Sequence, residues 1–325
     1  MLFRSFLAVL AFALLYSFAT AYVKAENELT AQKSHQVEKR AGYTFHCVPE
    51  WLQCTAVQVV IRILVFIVTD TGAPLETDLV ISTEIESESN PGVVLWSGEL
   101  TLHAGSFFES SQTIYLPGNA NTLFGIIYTD PFSLILNHEL LGRCGQGSGD
   151  PHMVTFDGHK FDFNGHCSYV LTQECDKDAP SFQVTADFRG RNPSTPYEPP
   201  TRMVAFNITN YGTQVIRINE DNSVLIKGKA FTTHSARIGD NEGFVSRSGS
   251  NVTIYLTQPS VSLNWNRRLH GITIGLENVD LFSNVCGMLG NADGDPNNDF
   301  VMPDGKSTSD VVEFGNSWAV GGSCP

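Results

Sequence analysis

Apolar residues recur at every second position along most of this chain, which is the spacing of strands rather than helices. Between positions 57 and 68, Val57, Val59, Ile61, Ile63, Val65 and Ile67 interleave with a second apolar set at even positions. Only Gln58 and Arg62 interrupt this Val- and Ile-rich run, so it reads as a buried strand. Shorter strand-like runs follow at 78–84, 92–102, 111–116 and 123–128. Turn clusters such as Asp70-Thr71-Gly72 and Asn90-Pro91-Gly92 separate them. Short strands at this spacing predict a small β-sandwich over roughly residues 43–140, a unit whose sequence resembles no family and whose function is unreadable from it. The Gly-rich stretch 144–149 marks a hinge, and beyond it runs at 160–163, 168–172, 182–188, 203–209, 213–218, 223–226, 252–256, 261–265 and 272–277 alternate apolar with polar residues. Half-buried antiparallel strands alternate in this way. The expected fold is all-β in two domains, an N-terminal β-sandwich-like unit over 41–143 and a second β-domain over 144–325.

The N-terminus breaks this pattern. A positive residue at Arg4, an apolar run from Phe6 to Leu15, and Ala19-Thr20-Ala21 as a small-x-small site describe a secretory signal peptide, residues 1–21, cleaved after Ala21. The run is too short to span a bilayer, and no second membrane candidate follows, so the mature protein is expected to be secreted and soluble. Residues 22–40 are polar and end in Lys39-Arg40, a candidate propeptide with Arg40 at its processing point. Asn207-Ile208-Thr209 and Asn251-Val252-Thr253 become usable glycosylation sequons in that compartment. All seven cysteines lie beyond the cleavage point, and an odd number in an oxidising environment implies a disulfide framework with one residue left over.

With 34 acidic against 20 basic residues the formal net charge is −14. That balance argues against nucleic acid or an anionic membrane as the main partner and is compatible with cations. The densest oxygen cluster is Asn291, Asp293, Asp295, Asn298 and Asp299. Hard oxygen donors at this density suit Ca²⁺, but the same residues form turns in which side chains bond their own backbone. Spacing leaves both readings open. An EF-hand is excluded, because its sixth position would be Pro296 and its twelfth Met302.

Two sets of motifs carry a more specific likeness. Gly149-Asp150-Pro151-His152, Thr155-Phe156-Asp157-Gly158, Phe161-Asp162-Phe163 and Gly165-His166-Cys167-Ser168-Tyr169 open the second domain. Cys286-Gly287-Met288-Leu289-Gly290-Asn291, Asp293-Gly294, Asn297-Asn298-Asp299-Phe300 and Ser317-Trp318 close it. In content and order the segment 144–325 resembles a von Willebrand factor type D domain. The resemblance implies a disulfide-stabilised β-domain with a calcium ion held by Asp150, Asn291, Asp293, Asn298 and Asp299, and by Asp295 through its backbone carbonyl. It implies the disulfides Cys167–Cys324 and Cys175–Cys286. Leu289 stands where the family usually has a cysteine that would pair with one near the domain's start, here Cys144. That departure weakens any expectation of disulfide-exchange activity. Cys47 and Cys54 are near enough in sequence to close a short loop. Cys144 is then left for an intermolecular bond, and so for a covalent oligomer, or for an unusual bridge to Cys47 or Cys54 that would tie the two domains together.

Catalytic signatures are absent. His152, His159 and His166 recur every seven residues, a spacing that alternates faces on a strand and builds no zinc site. There is no nucleophile elbow, His-Glu-x-x-His helix or phosphate loop. The Asp150-Pro151 bond is chemically weak and is a candidate for autocatalytic cleavage, against the plainer reading of Asp150 as a metal ligand and Pro151 as a turn-former. The expected role is a secreted, calcium-binding structural or interaction protein of matrix, adhesive, mucus-like or mineral-associated type, contacting extracellular proteins. Alternatives are a secreted enzyme such as a luciferase-like oxygenase, since some marine luciferases contain similar domains, and a soluble growth-factor or lipid trap.

Overall fold

A computed structural model describes residues 43–54, 58–69, 73–106, 108–118, 124–129, 137–140, 142–175, 179–239 and 242–325. The expected signal peptide, propeptide and Lys39-Arg40 site lie outside the described residues. The chain divides into two compact units, Met1–His46 with Ile67–Ala73, and Cys47–Phe66 with Pro74–Pro325. The description below concerns the second; two strands, Tyr43–Cys54 and Gln58–Thr69, have their remaining residues in the first.

Two antiparallel sheets form its larger part. One has eight strands in the order Lys160–Asp162, His152–Val154, Arg143–Ser148, Gly271–Leu276, Val261–Asn266, Asn251–Leu256, Gly243–Ser248 and Ser235–Ile238. The other has seven, in the order Lys229–Ala230, Val224–Ile226, Thr213–Ile218, Thr201–Asn210, Phe182–Gly190, Ser168–Glu174 and Val285–Cys286. Alternation sends Val252, Ile254, Leu263, Trp265, Ile272 and Ile274 of the first sheet into one core with Val184, Ala186, Phe188, Phe206 and Ile208 of the second. Full burial of each large aliphatic side chain is worth about 1.5–3 kcal/mol, so this shared face is the main source of cohesion.

The C-terminal segment is tied down beside the core. Asp310 caps the short helix Val311–Ser317 by accepting from the Val312 and Glu313 amides. Phe314 stacks on Phe300 at 4.4 Å, with Phe161 edge-on to both. Disulfides join Cys167 to Cys324 and Cys175 to Cys286.

A smaller four-stranded sheet has the order Asn90–Leu102, Leu79–Ser87, Phe124–Thr129, Asn137–Leu140. Its second strand shows the alternation legible in sequence, with Leu79, Ile81, Thr83 and Ile85 buried and Val80, Ser82 and Glu84 exposed. A further sheet contains Tyr43–Cys54 and Gln58–Thr69, the latter paired with Phe108–Ser110 and Ile114–Pro117. The run 59–66 is buried apart from Arg62, as the apolar pattern predicts.

The division between domains at 143/144 needs correction. Segment 47–66 covers the outer face of the eight-stranded sheet, the face expected to meet water. Thr253, Ser262, Asn264 and Thr273 alternate with the core residues of that sheet, yet all four are buried. Glu50, 2% exposed, accepts from the Thr253 hydroxyl and from Asn264 Nδ2 and pairs with Arg62 at 2.7 Å. The Trp51 indole donates to Glu277 at 2.8 Å, and Ser262 donates to the same carboxylate oxygen at 2.7 Å. Gly275 makes room for that indole, because a Cβ there would lie 2.2 Å from Trp51. Phe66 stacks on Phe244 at 4.5 Å.

The predicted Cys47–Cys54 loop is also corrected. Both residues belong to one extended strand, and seven residues at about 3.3 Å each place them about 23 Å apart, far beyond disulfide reach. Cys54 is bonded instead to Cys144, with a Cα–Cα distance of 6.2 Å. Gly145 faces Leu289 and the core, so its neighbour Cys144 faces the covering strand. Cys144 is 0% exposed and is not the residue of an intermolecular link. Cys47 is likewise buried.

Candidate functional site

The oxygen-rich turn 291–299 leaves the core through Met288 and Leu289, both fully buried. Gly290 adopts φ +81°, and a Cβ there would lie 2.0 Å from the Asp299 carboxylate. Only glycine lets the chain fold so closely over that group. Gly290→Ala should therefore lower the melting temperature even where metal is absent; an unchanged melt would show that the turn relaxes freely.

Within the turn Asp293 is the hub. Its carboxylate accepts from Asn291 Nδ2 at 3.2 Å, from Asn298 Nδ2 at 2.7 Å and from the Asp295 amide at 2.8 Å. Asn291 Nδ2 also reaches Asn298 Oδ1 at 3.0 Å. Partial burial opposes the charge on Asp293, but the Asp295, Asn298 and Asn291 hydrogen bonds and the Arg143 charge hold its carboxyl below the ordinary value. Asp295 points away and accepts from Asn297, amide and side chain alike.

Asp299 lies beneath the turn, 2% exposed, accepting from the Thr155 hydroxyl at 2.6 Å and the Asn291 amide at 3.3 Å. Burial above all pushes its carboxyl up to about 6; the Thr155 bond works against this and the charge of Asp157 adds to it. Neighbouring buried carboxylates are costly unless positive charge lies beside them, and here Arg143 supplies one such charge, to Asp157.

Asp157 is the residue that sequence reasoning missed. In the sequence it stands inside Thr155-Phe156-Asp157-Gly158 with no neighbouring oxygen cluster to mark it, yet it carries the turn. Also 2% exposed, it accepts from the Asp293 amide at 3.0 Å, the Gly294 amide at 2.8 Å and the Arg143 guanidinium at 2.5 Å. The place expected for Asp150 is thus taken by Asp157. Asp150 pairs instead with Arg191 at 2.6 Å. Its carboxylate oxygen is held by a guanidinium rather than released to attack its own carbonyl. Incubation near pH 5 should yield no fragment beginning at Pro151, which N-terminal sequencing checks.

The three histidines go to three places. His152 meets Asp162 at 2.7 Å, His159 bonds the Pro296 carbonyl at 2.7 Å and packs on Phe300, and the His166 amide donates to the Tyr169 hydroxyl. Among the described residues no three His, Cys, Asp or Glu side chains converge into a metal cage by themselves. The donor set at the turn is mixed, with amide oxygens beside carboxylates, and that chemistry fits a hard cation.

The segment 145–306 matches the family model of the von Willebrand factor type D domain. This chain carries a von Willebrand factor type D domain. Similar relatives are the IgGFc-binding protein of Homo sapiens, 31% identical over 180 residues, and zonadhesin of Homo sapiens, 31% over 173. Mucin-2 of Rattus norvegicus is 28% identical over 179 residues. These alignments cover 54%, 52% and 54% of this chain, but only 3%, 6% and 11% of the respective relatives. The chain therefore spans at most about a tenth of the length of these curated relatives.

The type D region begins where the Cys54–Cys144 bond ties it to the covering strand, so the domain and its N-terminal cover are one structural body. The sequon residues Asn207 and Asn251 are both part-exposed on its strands. Among the described residues no helix is long and apolar enough to cross a membrane.

Proposed function

We propose that this chain is a secreted, non-catalytic structural component of extracellular material, of matrix, adhesive or mucus-like type, whose type D domain is stabilised by calcium and used for protein contacts. The observation that carries the calcium reading is the closure of the 291–299 turn on Asp157. Asp157, Asn291, Asp293, Asn298 and Asp299 would hold the ion, which would add positive charge beside the buried Asp299 and clamp segments about 140 residues apart in sequence. Asp150 lies beyond the far end of strand Arg143–Ser148 from Arg143, the partner of Asp157, and is not in this set. Relatives named as mucins and zonadhesin support the extracellular setting.

At calcium about 100 times above its dissociation constant, binding stabilises the fold by about 2.7 kcal/mol. Metal-stripped protein should melt at a lower temperature than protein in millimolar calcium, and Asp293→Ala or Asp157→Asn should abolish the difference. Identical melts with and without calcium would remove the ion from this reading. Secretion is tested separately, by recovering the glycosylated chain from the medium of expressing cells.

A further inference from the structure

Four segments meet at one end of the two large sheets, and they bring arginines together. The turn after Arg143–Ser148 touches the hairpin tip 267–270, where the Gly149 amide donates to the Leu269 carbonyl at 3.1 Å. His270, at that tip, bonds the Met203 carbonyl at 3.1 Å, beside Arg202. Arg202 stands directly across from Arg189 in the ladder between Thr201–Asn210 and Phe182–Gly190. The Arg191 amide donates to the Pro200 carbonyl at 3.1 Å. Arg189, Arg191, Arg202, Arg267 and Arg268 therefore share one end of the domain, with Arg191, Arg267 and Arg268 exposed.

Their counter-charges are sparse. Arg191 pairs with Asp150; among the described residues no carboxylate lies within ion-pair distance of Arg189, Arg202, Arg267 or Arg268. Asp162 is taken by His152, and Asp221 acts on Arg267 only at longer range. The Arg202 Nε–H is buried without a hydrogen-bond partner. His270 feels the same field: burial first, then Arg202, Arg267 and Arg191, hold its imidazole below the usual range. In a chain of net charge −14, four guanidinium groups without carboxylate partners at one end run against the overall bias. Tyr197, 46% exposed, lies under the Arg189 guanidinium at 5.9 Å and offers an aromatic face at the border.

We propose that this end of the domain binds a sulfated glycan chain. Guanidinium groups bind planar and tetrahedral oxyanions through paired N–H donors, arginines spread over three segments suit a repeating polyanion, and a tyrosine face suits a sugar ring. The preference for glycan over nucleic acid rests on the extracellular reading above.

The test uses the full secreted chain in a binding titration against heparin as the sulfated probe, chemically desulfated heparin, and a DNA duplex of matched charge. Heparin should bind, desulfated heparin should not, and DNA should bind more weakly. Raising the salt about threefold should weaken heparin binding on the order of tenfold, as counterion release requires. Arg267→Ala/Arg268→Ala, two exposed changes that should leave the melting curve alone, should weaken it on the order of tenfold. Arg202→Lys should weaken it less than Arg202→Ala. Lys306→Ala, away from this end, should change nothing. No heparin binding, binding that the double arginine variant leaves intact, or DNA bound as tightly as heparin would each overturn the proposal. Failure to recover the chain from the medium would instead count against the extracellular reading.

Discussion

Replacing Cys54 and Cys144 together by serine should lower the free energy of unfolding by about 3–5 kcal/mol. The bond closes a loop with a sequence separation of 90, and cross-links over loops of this length restrict the unfolded chain most. The loss should appear in denaturant unfolding as a lower midpoint with a steeper slope, because the unlinked unfolded chain exposes more surface. Proteolysis of the double variant should then cut first within residues 47–66, because the covering strand has lost its covalent tie while its sheet stays whole. A loss of unfolding free energy below about 1 kcal/mol would mean that the hydrogen bonds of Glu50 and Trp51 already hold the cover in place.

Glu50→Ala should cost about 3–5 kcal/mol, because it leaves the Arg62 guanidinium without its carboxylate and strips Thr253 and Asn264 of an acceptor. Glu50 is 2% exposed against 22% for the Arg62 side chain, so the charge removed is the more deeply buried of the two. Glu50→Gln keeps an acceptor in the same place and should cost less. The decisive comparison is Glu50→Leu/Arg62→Met, which replaces the pair by apolar groups of similar volume. It should be less destabilised than the sum of its single changes. Additive losses would show that each residue acts through separate packing contacts rather than through the pair.

The all-β character was legible in sequence because alternation reports directly on which side chains face a core. Leu79, Ile81 and Ile85 in the small sheet and Val252, Ile254 and Leu256 in the large one are buried on one face as that pattern requires. The motifs from Gly149 to Trp318 identified the type D domain, and with it a turn in which Asn291, Asn298 and the Asp295 amide donate hydrogen bonds to Asp293. The covering layer was not legible, for a physical reason. Thr253, Ser262, Asn264 and Thr273 read as solvent-facing polar positions, and alternation cannot distinguish a face that meets water from one that meets hydrogen-bonding side chains. The exchange of Asp150 for Asp157 has a similar origin. Both are single carboxylates in short turns near the domain's start, and only the path of the backbone decides that Asp157 meets the Asp293 and Gly294 amides while Asp150 turns toward Arg191.

The polar character of that buried face bears on how the chain folds. Segment 47–66 leaves the ribosome early, but the partners of Glu50 and Trp51 lie 203 to 226 residues further on. The cover must therefore wait, and contacts of such separation form slowly. During that wait the eight-stranded sheet can close over its apolar core while its outer face shows Thr253, Ser262, Asn264, Thr273 and Gln146 to water. Hydroxyls and amides on that face leave Phe244, which meets Phe66 of the cover, as its apolar contact named above. The hydrogen-bonded seam therefore couples the first strands of the chain to some of its last, so Glu50 and Trp51 find their partners only once residues 253–277 are made.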